Sequence, residues 1–271
     1  MIKFDNVCFA YDKNNILNNI SLSVKKGEFV AIVGRNGAGK TTLMKLLNGL
    51  LKPTSGVVTI ANLNTSVTRT SELARHVGFL FQNPDRQICR NTVKAEIEFG
   101  LKCILTDNAD IEKRCRNTIE KFGLLPDKDP FSMSRGERQK VALASVLALS
   151  PEILVLDEPT TGLDYKECMH IMETINELND NGTTVIMVCH DMELVADFAG
   201  RIIVVGEGRI LDDDVCRSVM SRPEVLKEAS LAPPQIVELA IKLGKGFEDV
   251  FTLDEMTGII SQRAKREGCI M

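Results

Sequence analysis

The sequence is short of three things, and each absence removes a class of function. It has no excess of basic residues. Its 33 Lys and Arg stand against 37 Asp and Glu, a formal net charge of −4, so bulk charge gives no general attraction to nucleic acid or anionic lipid, and no nucleic-acid partner is expected. It has no apolar run near the roughly 18 residues that a membrane-spanning helix needs. The opening "MIKFDNVCFAYDKN" also lacks the apolar core of a secretion signal, so a cytoplasmic chain is the expectation. Lastly, none of its eight cysteines (Cys8, Cys89, Cys103, Cys115, Cys168, Cys189, Cys216, Cys269) sits in a C-x-x-C pair, and the three histidines lie far from any such pair. Free thiols acting as small apolar residues are expected, rather than a metal cluster or disulfides. The ending "GCIM" fails as a prenylation box, because Cys269 is third from the end and not fourth.

What is present suits a folded chain of ordinary composition. With 271 residues, 44% hydrophobic and 26% charged, it accommodates one large α/β domain or a core with a smaller appendage. "IKFDNVCFAY" and "ISLSVKKGEFVAIV" read as strands joined by the turn "DKNN". "LMKLLNGLL" has helical spacing and "KPTSG" stops it, while "GVVTIANL" and "HVGFLFQ" read as further strands. From about Thr92 to Leu125 the pattern is helical and charged. Then come a buried strand at Ile153–Leu156, a helix over about 165–179, the strand "TTVIMVCH", a helix at 192–199 and the strand pair "RIIVVGEGRIL". Alternating strands and helices with buried-type strands imply a parallel sheet with right-handed crossovers. The hairpin-like start and the helical middle, about 83–150, are additions to that core. Residues 1–220 read as one domain, and 221–271 as a small C-terminal extension.

Two stretches carry chemistry. "GRNGAGKTT" fits G-x-x-x-x-G-K-[ST], following the strand "EFVAIV" and preceding the helix "TTLMKLLNGL". Its glycines turn backbone N–H groups toward one point, and the helix N-terminus adds partial positive charge. Lys40 is then expected to reach β- and γ-phosphates, and the Thr41 hydroxyl to coordinate Mg²⁺. "EILVLDEP" places Asp157 at the C-terminal end of a buried strand, where open α/β sheets bind ligands. Asp157 is expected to hold the metal through water, and Glu158 to orient or deprotonate an attacking water.

With these residues the chain resembles the nucleotide-binding subunits of ATP-binding-cassette (ABC) transporters, over about residues 2–211. The resemblance implies a P-loop NTPase core with an antiparallel β subdomain, a helical subdomain and the small extension. It implies an ATPase whose turnover is coupled to transport, with ATP as substrate and Mg²⁺ as cofactor. Tyr11 matches the aromatic that stacks on adenine. Gly34, Arg35, Asn36, Gly37, Ala38, Gly39, Lys40, Thr41 and Thr42 match the phosphate loop, and Gln82 in "FLFQNPDRQ" the glutamine that links the metal site to the membrane partner. Ser134, Arg135, Gly136 and Glu137 fall at the signature that acts on the partner's ATP. Asp164 falls in the loop that crosses the dimer, and His190 matches the switch histidine beside the γ-phosphate. "FQNPDRQ", "HDMELV" and "LAPPQIVELA" resemble the ATPases of energy-coupling-factor importers of vitamins or transition-metal ions. That resemblance implies a second ABC ATPase subunit, like or unlike, a transmembrane coupling protein and a membrane substrate-binding subunit. It places the chain peripherally on the cytoplasmic face of the membrane, with an extension that helps the ATPases pair.

The alternatives have visible counter-signals. A soluble ABC protein of the ribosome-associated kind usually carries two cassettes and a charged linker, and iron–sulfur assembly ATPases lack the proline-containing extension. A GTPase would carry N-K-x-D, which is absent. One departure stands out: where the family usually has Leu-Ser-Gly-Gly-Gln, this chain has Met133-Ser134-Arg135-Gly136-Glu137. Ser134 and Glu137 also fit a capping box, compatible with a signature role. Arg135 either adds a charge contact to the partner's ATP or points past it to solvent or the partner's surface.

Overall fold

The computed structural model describes residues 2–247 and 249–266, so Cys269 and the "GCIM" ending lie outside the described residues. In chain order the strands are β1 (Ile2–Tyr11), β2 (Asn14–Val24), β3 (Phe29–Val33), β4 (Ser55–Ile60), β5 (Leu63–Asn64), β6 (Val77–Leu80), β7 (Ile153–Asp157), β8 (Thr184–Val188), β9 (Arg201–Gly206) and β10 (Arg209–Val215). The helices are α1 (Lys40–Leu47), α2 (Thr70–Leu73), α3 (Val93–Ile104), α4 (Asn108–Lys121), α5 (Arg135–Leu147), α6 (Tyr165–Asp180), α7 (Met192–Phe198), α8 (Cys216–Met220), α9 (Pro223–Glu228), α10 (Gln235–Leu243) and α11 (Leu253–Arg266).

Every residue of β3, β7 and β8 is buried, as strands covered on both faces require. They lie in a six-stranded sheet ordered β10-β9-β3-β8-β7-β6, parallel except for β10, which pairs antiparallel with β9 at the edge. The period of two sorts their side chains onto opposite faces. Val30 and Ile32 join a cluster with Leu43 and Met44 of α1 and with Phe4, Ile20 and Val58 of the antiparallel sheet. Ala31 and Val33 join the opposite cluster, with Val141 and Ala144 of α5, Ile171 of α6 and Val195 of α7. The second sheet, ordered β2-β1-β4-β5, is antiparallel throughout.

The stretch "ISLSVKKGEFVAIV", which reads as one strand, is two. It breaks at Lys25–Gly27, where Gly27 has φ +78°, so β2 pairs in the antiparallel sheet and β3 in the parallel one. α9 also behaves differently from the rest of the extension. Its Leu226, with Ala229 just beyond, is buried in the large cluster of the main sheet, because β9 and α8 offer it an apolar face. A separate small cluster of Ala240, Phe247, Val250 and Met256 holds α10 against α11. Among the described residues no helix is long and apolar enough to cross a membrane.

Register sets the position of everything that follows. Ile32 of β3 and Asp157 of β7 both pair with Val188 of β8. The ends of three neighbouring strands therefore open at one level, and the segments that leave them (34–39, 158–164 and 189–191) meet at a single sheet edge.

Candidate functional site

The loop 34–39 passes so close to β9 that a Cβ on Gly34 would overlap the Val205 carbonyl oxygen, and Gly34 has φ +149°. Only glycine fits there. Arg35 turns away to pair with Glu207 at 3.1 Å, and the Gly208 N–H donates to the Ala38 carbonyl at 3.2 Å, fixing the far side of the loop. No side chain caps α1, whose N-cap is Gly39, so its first N–H groups are left as donors for an anion. Lys40 is 6% exposed, and its ammonium donates to the carbonyls of Gly34 at 2.6 Å and Arg35 at 3.0 Å. Burial pulls its pKa down, while the carboxylates of Glu158 and Asp157 act against that.

Across the edge, Asp157 is 2% exposed and its Oδ1 has no hydrogen-bond partner among the described residues. Burial pushes its pKa up; the hydroxyl of Thr41 opposes the shift and the Glu158 charge adds to it. Glu158 sits in the left-handed region at φ +54°, a costly conformation for a side-chain-bearing residue. The surroundings hold it there. Its N–H donates to Val188 O at 3.0 Å, its Oε2 accepts from the Thr161 hydroxyl at 3.1 Å, and its Oε1 lies 3.0 Å from His190 Nε2.

Tyr11, Asn36, Gly37, Gly39, Lys40, Thr41, Thr42, Gln82, Glu158 and His190 line one cleft of about 550 Å³, whose apolar wall is Ile16 and Val188. Tyr11 is half exposed and braced edge-on by Phe9, with ring centroids 4.8 Å apart. Beside the cleft, a recess of about 290 Å³ brings together Thr41, Gln82 and Asp157, the three residues expected to serve a metal. A hydroxyl, an amide and a buried carboxylate oxygen with an unfilled lone pair are hard oxygen donors, so this recess fits Mg²⁺. Among the described residues no group of three or more His, Cys, Asp or Glu forms a metal cluster.

The signature residues are not in the cleft. Ser134 caps α5 with both halves of a capping box: its hydroxyl accepts from Glu137 N at 3.3 Å, and Glu137 Oε2 accepts from Ser134 N at 2.9 Å. Lys128, 2.7 Å from Glu137, then the Ser134 N–H and hydroxyl hold that carboxyl at about 2. Gly136 packs against the Gly162 carbonyl, where a Cβ would come within 2.9 Å. The Arg135 side chain is exposed and makes no hydrogen bond or ion pair to another described residue. Asp164 caps α6 through Glu167 N at 2.8 Å and also stands outside the cleft.

Two further residues belong to the site, and sequence reasoning misses both. Thr161 lies within "TTGLD", where Asp164 is the residue that the motif brings forward. Gln139 is 1% exposed although it stands between Arg138 and Lys140 in the polar start of α5, so the sequence offers no signal for it.

A glycine loop around a buried lysine, with an acidic strand end beside it on a mostly parallel sheet, is the arrangement of a P-loop NTPase. The family model described as ABC transporter matches residues 17–161. The energy-coupling factor transporter ATP-binding protein EcfA2 of Acetivibrio thermocellus is 42% identical over 267 residues, 94% of this chain and 95% of its own. The solved structure of cbiO1 from Clostridium perfringens, described as part of the ABC transporter complex cbiONQ, matches at 33% identity and TM-score 0.73, over 88% of this chain and 97% of that one. A dimeric ATP-binding cassette in a post-hydrolysis state, bound to ADP and Pi, matches at 31% identity and TM-score 0.72, over 80% and 99%. The chain belongs to the ABC transporter family. It spans about 44% of the length of other curated relatives whose names also place them among ABC transporter ATP-binding proteins.

The raised pKa of Asp157 has a stability consequence. The folded chain keeps this proton to higher pH than the unfolded chain does, so stability falls as pH rises from the unfolded carboxylate value through the folded one. Asp157→Asn is therefore expected to raise the melting temperature of the nucleotide-free chain at neutral pH and to abolish its Mg²⁺-dependent stabilisation by ATP. Thermal melts with and without Mg·ATP measure both.

Proposed function

We propose that this chain binds and hydrolyses ATP as the energising subunit of an importer of the energy-coupling-factor type. The observation that carries the ATPase reading is the pairing of Glu158 with His190 at 3.0 Å, in the same cleft as Lys40. In this reading the loop N–H groups and Lys40 hold the β- and γ-phosphates. Tyr11 stacks on the base, and Glu158 takes the proton of the water attacking the γ-phosphorus as ADP leaves. His190 orients Glu158 and faces the γ-phosphate. Thr41, Asp157 and Gln82 would hold Mg²⁺, which when bound supplies charge stabilisation to the phosphoryl oxygens.

The signature lies on another surface of the same chain, so it serves a second subunit. Ser134 and Gly136 would close the partner's nucleotide, Asp164 would stand at the crossing between subunits, and Arg135, whose side chain has no partner among the described residues, would add a charge contact there. The post-hydrolysis dimer found for a similar cassette supports pairing. ATP favours the closed pair because it contacts that state more extensively, and hydrolysis releases it. We assign the extension a share of the pairing, since α10 and α11 leave Leu239, Ile241, Leu243 and Ile260 exposed. The membrane partners in this reading are a transmembrane coupling protein and a substrate-binding subunit, with this chain peripheral on the cytoplasmic face. The similarity to EcfA2 supports the importer over a soluble ABC protein in another role.

Lys40→Ala is expected to remove measurable ATP affinity, whereas Glu158→Gln keeps affinity and lowers turnover by about 100-fold or more. The second variant should accumulate as an ATP-loaded dimer on gel filtration; wild-type turnover in it would remove Glu158 from the mechanism. Arg135→Ala in that background should weaken ATP-driven dimerisation severalfold, and unchanged dimerisation would place Arg135 clear of the nucleotide. For the importer, affinity purification from detergent-solubilised membranes should bring down an integral membrane protein; recovery without one would count against transport.

A further inference from the structure

Glu158 needs more than its own side-chain contacts to stay in place. Its backbone occupies a sparsely populated conformation at φ +54°, and the aim of the carboxylate follows from that backbone. Around its N–H and carboxylate the supports are Val188, Thr161 and His190, as described. The peptide that follows Glu158 has another support. Gln139 of α5, 1% exposed, points its Nε2 at the carbonyls of Pro159 at 3.3 Å and Glu158 at 3.5 Å. A buried amide bridging two successive carbonyls fixes the orientation of both peptide planes. An apolar side chain there would leave the buried Pro159 carbonyl without this donor.

α5 grips the rest of the same segment on either side of that contact. Gly136 packs on the Gly162 carbonyl, and Lys140 pairs with Glu167 at 2.6 Å at the start of α6. The helix therefore clamps residues 158–167 at three successive places, and Gln139 is the contact nearest the carboxylate. We infer that Gln139 is a positioning residue for Glu158, fixing the backbone from which the carboxylate is aimed at the attacking water. This inference rests on the ATPase reading above. It also gives α5 two duties. Five residues, a rise of about 7.5 Å, separate Ser134 at the surface signature from Gln139 at the chain's own Glu158. A displacement of the helix start by a partner's nucleotide would thus reach the carboxylate that serves this chain's nucleotide.

The test is Gln139→Met, which keeps the volume and removes the donor. Expected are a fall in kcat of about tenfold or more, KM for ATP within about twofold of wild type, and a melting temperature a few degrees lower, because the buried Pro159 carbonyl loses this donor. In a Glu158→Gln background the same change should cause no further loss of the residual rate, because the group it positions is already gone. An unchanged kcat, or an equal additional loss in the Glu158→Gln background, overturns the inference. If Gln139→Met does not fold, Gln139→Asn keeps the amide but withdraws it by one methylene. The same fall in kcat is then expected of it, and an unchanged kcat overturns the inference in the same way. A wild-type chain that neither binds nor hydrolyses ATP would overturn the ATPase reading and this inference with it. Wild-type turnover with an unaffected Gln139 variant overturns the inference alone.

Discussion

The structure depends on the common register of β3, β8 and β7. Because Ile32, Val188 and Asp157 stand at one level, the loop that follows each strand opens at the same edge. A slip of one residue in any of these pairings would turn every side chain of that strand to the wrong face. The alternating assignment of Val30 and Ile32 to one cluster and Ala31 and Val33 to the other shows why the slip is prevented. Both faces are apolar, but they are filled by different partners: α1 and the antiparallel sheet on one, α5, α6 and α7 on the other. The register is therefore enforced by volume as well as by backbone hydrogen bonds.

At that edge the chain concentrates charge that it does not fully solvate. Lys40 and Asp157 are both buried, their pKa values shift in the directions that disfavour charge, and each is partly restored by the other's field. Such an arrangement is poor for stability and suited to holding a metal and a polyphosphate, which supply the missing counter-charges. The strained backbone of Glu158 belongs to the same trade. The fold tolerates it because neighbouring strands and α5 supply donors and acceptors on several sides at once.

Much of this is legible in residue order, and the reasons differ by element. The phosphate loop and the acidic strand end are short, contiguous and tied to strand boundaries, so a local motif locates them. The capping box at Ser134 and Glu137 is likewise local, and both of its bonds form. In "ISLSVKKGEFVAIV" the polar "KKGE" interrupts the apolar pattern, but nothing local says that the halves on either side of it enter different sheets. Nor is the placement of α9 legible, since nothing in "RPEVLKE" says that Leu226 finds the large core. Gln139 and Thr161 act on Glu158 across turns of the chain, and local pattern does not encode such contacts.

The burial of Leu226 has a mechanical consequence. α9 packs against β9, and β9 is also the strand whose Val205 carbonyl backs Gly34 in the phosphate loop. The extension and the loop thus lean on the same strand. A torque applied to α10 and α11 would be delivered at the foundation of the nucleotide cradle before it was lost in any flexible joint. Shortening the chain before Leu226 would then do more than trim an accessory: it would uncover an apolar socket under that strand and loosen the surface on which the cradle rests.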